Sequence, residues 1–261
     1  MGNLKIISLY SGSTGNATLV SGPGGDILID AGKSARTLSL ALCREGYDIK
    51  KIKAVFITHE HSDHVSALTI LLKKHNIPVH MTEPTADAVE AVCGRLRGIV
   101  RHPPVFSERV GDMNVRSFVL SHDSSMCVGY RIDTDGGETL GIATDTGYVT
   151  EGMEKELCGC EAVILESNYD EEMLKFGSYP IEVKRRIGSR SGHLSNSDCA
   201  KFASRLAVRG TKRFMLAHIS RENNTPETAL LTVKKALAQF PGIRVSVARP
   251  DDATPFPSAE L

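Results

Sequence analysis

The feature that most limits how this chain folds is the segment Thr58-His59-Glu60-His61-Ser62-Asp63-His64, which follows directly on the apolar run Ala54-Val55-Phe56-Ile57. The apolar run reads as a strand, so the histidines begin where it ends. On a helix, His59 and His61 would point to nearly opposite sides, which excludes the helical zinc-protease pattern; in an extended turn, residues two apart face the same way. A strand delivering His59 and His61, followed by a helix start carrying Asp63 and His64, offers four ligands to two adjacent ions from six residues. The competing reading is a polar loop whose histidines cluster by chance. Three of the chain's nine histidines within six residues argue against it.

Around this segment the pattern changes rhythm twice. Lys5 to Tyr10, Ala17 to Ser21 and Asp26 to Asp30 read as strands separated by the glycine-containing turns 11–16 and 22–25. Helices are expected at 34–45, 65–75 and 84–96, with the strand Lys53 to Ile57 among them. Strands then return at 114–121, 127–133, 139–143 and 162–166. Helices follow near 181–187 and 198–208, then the strand 213–218, a helix over 226–240 and the strand 243–247. Each half therefore runs from strands into helices. Two mixed sheets packed together with helices on their outer faces, an α/β (α+β) fold, explain that rhythm, and periodicity alone leaves a three-layer α/β sheet open as the alternative. No linker or low-complexity tract interrupts residues 1–248, which are expected to form one domain. The tail 249–261, with three prolines, is expected to be irregular.

Composition excludes several classes. Hydrophobic residues at 41% and charged residues at 24% suit a soluble globular protein rather than a disordered one. The formal net charge of zero denies the chain a global basic field, so a nucleic-acid substrate would need local positive charge. No apolar run reaches 18 residues, and Met1 to Tyr10 alternates like a strand rather than forming a signal peptide's apolar core. A cytoplasmic protein without membrane contact is the expectation. The six cysteines show no zinc-finger spacing, and even Cys158-Gly-Cys160 reads as buried thiols in that compartment. Of the remaining histidines, His122, His193 and His218 each end or follow a strand-like run in a serine- or glycine-containing turn. His75, His80 and His102 read as ordinary surface or helix-end residues.

Together with Ile29-Asp30-Ala31-Gly32, His122, Asp145 in Ala143-Thr144-Asp145-Thr146-Gly147, and His218 in Leu216-Ala217-His218-Ile219-Ser220, the histidine segment resembles the ordered motifs of the metallo-β-lactamase superfamily. The resemblance spans residues 1 to about 248. It implies a four-layer αβ/βα sandwich with two divalent ions at one edge. It assigns His59, His61 and His122 to one ion, Asp63, His64 and His218 to the other, and Asp145 as the bridge. Neutral imidazoles with only Asp63, Asp145 and a hydroxide as counter-charges leave two divalent ions with a positive surplus, which favours an anionic phosphodiester. The β-lactam-cleaving branches commonly carry cysteine where Asp145 stands, which disfavours antibiotic hydrolysis. Asp30 and Asn16 are expected to orient ligands rather than bind metal. For Asp30 the alternative is a turn-initiating role before Gly32, and for the loop 11–16 a plain hairpin.

The stretches Leu165-Glu166-Ser167-Asn168-Tyr169-Asp170, Tyr179-Pro180, Lys184-Arg185-Arg186-Ile187, Ser191-Gly192-His193-Leu194-Ser195-Asn196 and Asn223-Asn224-Thr225-Pro226-Glu227 resemble the YycJ/WalJ-like (VicX) exonuclease branch. That resemblance implies a DNA exonuclease. No long insertion separates Asp145 from His218, so the clamping domain of the larger RNA-degrading relatives is absent. Asp63 and His193 are the candidate catalytic residues, His193 as a phosphate contact or a proton donor to the leaving oxygen. Its alternative is a surface neighbour of a helix capped by Ser195 to Asp198. Ser195, Asn196, Arg186 and Asn223 are candidate substrate contacts. The run Lys184 to Arg190 is either a solvated helix or the local positive patch. Zinc suits the imidazoles and manganese the carboxylates. Two other functions stay open: a thioester or lactone hydrolase of the same fold, and a non-catalytic regulatory binding protein. Nothing in the sequence sets the oligomeric state.

Overall fold

A strand covered on both faces needs apolar residues at every position, and each such residue must find a core on its own side. The computed structural model, which describes residues 4–258, shows where those cores are. The first half runs β1 (Lys5–Tyr10), β2 (Ala17–Gly22), β3 (Gly25–Ile29), α1 (Ala35–Arg44), β4 (Ile52–Phe56), α2 (Ser62–Val65), α3 (Leu68–Lys74), β5 (Val79–Thr82), α4 (Glu83–Cys93) and β6 (Ile99–His102). The second half runs β7 (Ser107–Val110), β8 (Met113–Val119), β9 (Val128–Thr134), β10 (Thr139–Ala143), α5 (Glu151–Leu157), β11 (Ala162–Glu166), α6 (Glu171–Phe176), α7 (Ile181–Ile187), α8 (Asn196–Val208), β12 (Arg213–Ala217), α9 (Pro226–Leu237) and β13 (Arg244–Val247). A two-residue strand, β14 (Thr254–Pro255), returns to pair with β1.

Two seven-stranded sheets result, ordered β14-β1-β2-β3-β4-β5-β6 and β13-β12-β11-β10-β9-β8-β7. In the first, pairing is antiparallel as far as β3 and parallel from β3 to β6; the second is antiparallel from β7 to β10 and parallel from β10 to β13. Alternate residues go to different cores. Ile27, Ile29, Phe56, Ile164 and Met215 meet Tyr130 between the sheets. Leu28 and Val55 face Leu38 and Leu42 of α1 and Leu68 and Leu71 of α3. On the far side Val163, Leu165, Phe214 and Leu216 face Phe202 and Leu206 of α8 and Val233 of α9. Three cores between four layers give the expected αβ/βα sandwich, each fully buried aliphatic or aromatic side chain contributing about 1.5–3 kcal/mol. Among the described residues no helix is long and apolar enough to cross a membrane.

Several expectations change. The helix expected at 65–75 is two short ones, because Ala67 N–H leaves the helical ladder to donate to Ala31 O at 2.9 Å. Strands β5 and β6, four residues each, interrupt what had read as loop and helix ends, and α5 and α6 were not expected. The tail is not wholly irregular: β14 completes the first sheet's edge, and Phe256 N–H donates to Ile6 O at 2.9 Å while its ring is buried. His80 is no surface residue; on β5 it is 5% exposed and stacked on Phe56. Cys127, Cys160 and Cys199 are buried thiols as expected, Cys158 is half-buried, but Cys43 and Cys93 are exposed; all six are free. Residues 1–3 of the N-terminal run and 259–261 of the tail lie outside the described residues.

Candidate metal centre

In open α/β sheets the groups that meet a ligand stand beyond the carboxyl ends of parallel strands. Here Asp30 follows β3, Thr58 and His59 follow β4, Asp145 follows β10, Glu166 ends β11 and His218 follows β12. Among the described residues, Asp30, Asp145 and His218 are the non-glycine positions with positive φ, at 63°, 63° and 55°. Side chains in that left-handed region cost on the order of 1–2 kcal/mol each, so surrounding bonds must impose it.

Those bonds are visible around the histidine segment. Asp30 N–H donates to Phe56 O, Ala31 N–H to His64 O, Gly32 N–H to Asn16 O and Asn16 N–H to Asp63 O, all within 2.8 Å. Gly32 lies so close beneath that a Cβ there would sit 1.5 Å from Asp63 O. The second sheet holds the same segment from the other side. Val128 N–H donates to Thr58 O at 3.1 Å, and the buried Tyr130 hydroxyl donates to Ile57 O at 2.6 Å. Ser11 Oγ accepts His218 N–H at 2.8 Å, tying the first loop to the end of β12.

Each ring is then turned by a partner on Nδ1. His64 Nδ1 meets Asp30 Oδ2 at 2.8 Å, His218 Nδ1 meets Glu166 Oε1 at 2.8 Å, His122 Nδ1 meets Gly192 O at 3.0 Å and His59 Nδ1 meets Thr58 Oγ1 at 3.0 Å. With Nδ1–H donating to these acceptors, all four rings present Nε2 to one shared space. Two groups of donor atoms, His59/His61/His122 and Asp63/His64/His218, each lie within 4.8 Å of one another. Asp145 stands between them, its carboxylate 3.4 Å from His64 Nε2, 3.9 Å from His122 Nε2 and 3.3 Å from His218 Nδ1. Asn16 Nδ2 reaches Asp63 Oδ2 at 3.2 Å and His64 Nε2 at 3.0 Å.

The electrostatics divide the site. Burial holds His59 well below the ordinary imidazole range, with His64, His122 and His61 adding to the effect, and burial likewise lowers His122. Burial alone would lower His64 too, but the Asp30 and Asp145 carboxylates draw it well above that range. His218 is pushed up to about 10 in spite of its burial, by Asp145, Asp63 and Glu166. Burial would raise Asp63 and Glu166; hydrogen bonds from His218 and His64 to the first, and His193 and His218 beside the second, hold both below the usual carboxylate range. Carboxylates buried this deeply make an anionic hole. Moreover, His59 Nε2, His218 Nε2 and Asp145 Oδ2 are buried with no hydrogen-bond partner, each at a cost of about 1–3 kcal/mol. Imidazole nitrogens, that of His218 once its extra proton is displaced, and a carboxylate oxygen left bare in one hole are the donor set of divalent metal ions, and the residues fit such ions.

Glu166 is the functional residue that sequence reasoning did not single out. Fully buried, it accepts Thr146 N–H at 2.9 Å and Leu194 N–H at 3.1 Å on Oε2, and both His193 Nδ1 and His218 Nδ1 at 2.8 Å on Oε1. The available signal was an acid closing the strand Ala-Val-Ile-Leu-Glu, in which every residue is buried. His193 stands 20% exposed, its ring centroid 5.1 Å from those of both His122 and His218. Ser195 and Asn196, expected as substrate contacts, are instead buried: Ser195 Oγ caps α8 by accepting Asp198 N–H, and Asn196 pairs with Ser167 and Asn224. Arg186 is exposed and ion-paired with Asp123, the neighbour of His122. Asn223 is buried, with neither side-chain polar atom hydrogen-bonded.

The fold and this centre define a class: the chain belongs to the beta-lactamase superfamily, whose domain model matches residues 26–219. Within it, the chain is 36% identical over 235 residues to Exodeoxyribonuclease YycJ of Bacillus anthracis, covering 88% of each chain. It is 34% identical to Exodeoxyribonuclease WalJ of Streptococcus pneumoniae, covering 97% of each. Among solved structures, the metallo-beta-lactamase fold protein YhfI from Bacillus subtilis superposes with a TM-score of 0.73 at 17% identity, covering 97% of this chain and all of that one.

Proposed function

We propose that the protein is a metal-dependent phosphodiesterase, a cytoplasmic DNA exonuclease whose centre takes two divalent cations, zinc or manganese. The observation that carries this reading is the convergence of imidazole Nε2 atoms and the Asp145 carboxylate on one hole, with the His193–Glu166 pair at its open side. His59, His61 and His122 would hold one cation, Asp63, His64 and His218 the other, with Asp145 shared. Bound there, the cations would supply positive charge against phosphoryl oxygens and acidify water to serve as the nucleophile.

The chain's own groups do the rest. Asp30, Thr58, Gly192 and Glu166 fix the ligand rings, so that binding a cation costs little reorganisation. Glu166 accepts the Nδ1–H of His193 and leaves Nε2 to face substrate; in the imidazolium form that Nε2–H is the proton passed to the departing oxygen, and the ring is left neutral with its Nδ1–H still on Glu166. Lys184, Arg185 and Arg190 add the local positive charge that a neutral chain lacks overall. The two relatives named exodeoxyribonucleases, similar over most of their length, support the choice of DNA.

The test is to strip the protein of metal, reload it with manganese or zinc, and offer end-labelled single- and double-stranded DNA and RNA. Release of mononucleotides or short products from DNA ends is the expected result. Turnover of thioesters or lactones with every nucleic acid left intact would overturn the reading.

A further inference from the structure

Four rings line up where the chain leaves the first sheet for the second, the outer pairs face to face and the two imidazoles edge to edge. Phe56 lies 4.7 Å from His80 between centroids, His80 5.2 Å from His102, and His102 4.0 Å from Phe106, with interplanar angles of 16°, 19° and 10°. Both phenylalanines belong to the core between the sheets. Two polar rings thus occupy an apolar slot that two further phenyl rings would fill without loss of hydration.

The two imidazoles meet edge to edge, His80 Nδ1 lying 3.0 Å from His102 Nε2. Glu108 on β7 adds a carboxylate oxygen, and the three ligand atoms lie within 4.8 Å of one another. None of the three takes part in the centre described above. Zinc bound tetrahedrally at about 2.0–2.1 Å from each nitrogen would space the pair roughly 3.3 Å apart, so the rings, whose nitrogens point at each other, would part by a few tenths of an ångström and tilt by about 35° each to share the ion. Burial lowers both rings below the ordinary imidazole range, which leaves them as neutral, ligand-competent bases.

We infer that His80, His102 and Glu108 form an additional transition-metal site, suited to zinc or a similar borderline cation and binding it through two imidazoles and one carboxylate. Solvent completes the coordination on the side of the partly exposed Glu108. Binding moves the proton now shared by the rings: His80 keeps its proton on Nε2 and His102 on Nδ1, so one tautomer shifts and none is released. The ion would join β5, β6 and β7 at the crossover between the sheets. Manganese, which prefers oxygen donors, should leave the site empty.

The test compares the wild-type protein with His102→Gln and Glu108→Gln by equilibrium dialysis at micromolar free zinc, counting ions per chain by elemental analysis. Wild type is expected to hold one zinc more than His102→Gln. Its affinity for that ion should fall at least tenfold in Glu108→Gln, whose partly exposed position on β7 spares the fold if His102→Gln proves unstable. A thermal-melting shift with zinc in wild type that shrinks in both variants is the second readout. Equal zinc counts in wild type and Glu108→Gln, with equal melting shifts, would overturn the site. Since neither readout measures cleavage, failure of the nuclease reading leaves this result interpretable.

Discussion

Glu166→Gln keeps the side chain's volume and takes away one acceptor. The native carboxylate receives four N–H groups, two backbone amides on Oε2 and two imidazoles on Oε1. A glutamine offers one oxygen and one NH2, so two of those four donors must lose their acceptor. If the oxygen stays with Thr146 and Leu194, the NH2 faces His193 and His218, whose Nδ1 atoms must then accept. Their protons move to Nε2, and His218 no longer presents a lone pair to a cation. Metal affinity should then drop about 10–100-fold. If the amide flips, two buried N–H groups face a donor, at about 1–3 kcal/mol each, or some 2–6 kcal/mol of stability. In the first case His193 also changes tautomer, and turnover at saturating metal should fall roughly 10²–10⁴-fold; in the second its ring keeps an acceptor and the loss falls on stability. Metal retention against chelators of graded strength, circular-dichroism melting and steady-state cleavage separate the two outcomes. A variant with wild-type metal retention, melting temperature and turnover would refute the reasoning outright.

Further outcomes follow from the same geometry. His193→Ala should keep its metal, since this ring is not among the proposed ligands, while cleavage falls about 10²–10⁴-fold; loss of bound metal by elemental analysis would reassign the ring as a ligand. Gly32→Ala drives a methyl group to within 1.5 Å of Asp63 O and should cost about 3 kcal/mol or more, read as a lowered denaturation midpoint. In the metal-free protein His64 is drawn well above its ordinary value and His218 to about 10, so both carry protons at neutral pH that a cation must displace. Apparent affinity should therefore rise with pH by up to about tenfold per unit for each proton released. The metal-free fold should behave oppositely, because raised values contribute stability below the unfolded value of 6.5 that is lost as pH rises towards about 10. Titration calorimetry in buffers of different protonation enthalpy reads the release directly, and affinity that is flat between about pH 7 and 9 would contradict it.

Much of this centre was legible because its donors are local or motif-bound. His59 to His64 lie within six residues, and Asp30, Asp145 and His218 each close an apolar run. The layering was legible through the family motifs, since the rhythm of strands and helices alone left a three-layer sheet open. What escaped notice depends on non-local partners. The burial of His80 follows from pairing of β5 with β4 and β6, which no window of sequence displays. Glu166 reads only as the polar last residue of a strand until Leu194 and Thr146 are seen donating to it. Ser195 and Asn196 are the reverse case: a polar pair before a helix reads equally as cap or contact, and the structure shows a buried cap at Ser195.

The left-handed backbone at Asp30, Asp145 and His218 sets stability against chemistry at the same three positions. Glycine would relax each site by about 1 kcal/mol while deleting a side chain the centre depends on. At Asp145, whose Oδ2 has no hydrogen-bond partner, a variant library selected for heat resistance alone should therefore accumulate glycine and grow less active, whereas at Asp30 the bonds to Thr58 and His64 outweigh that gain. One selected for cleavage should hold all three residues and tolerate the lower melting point.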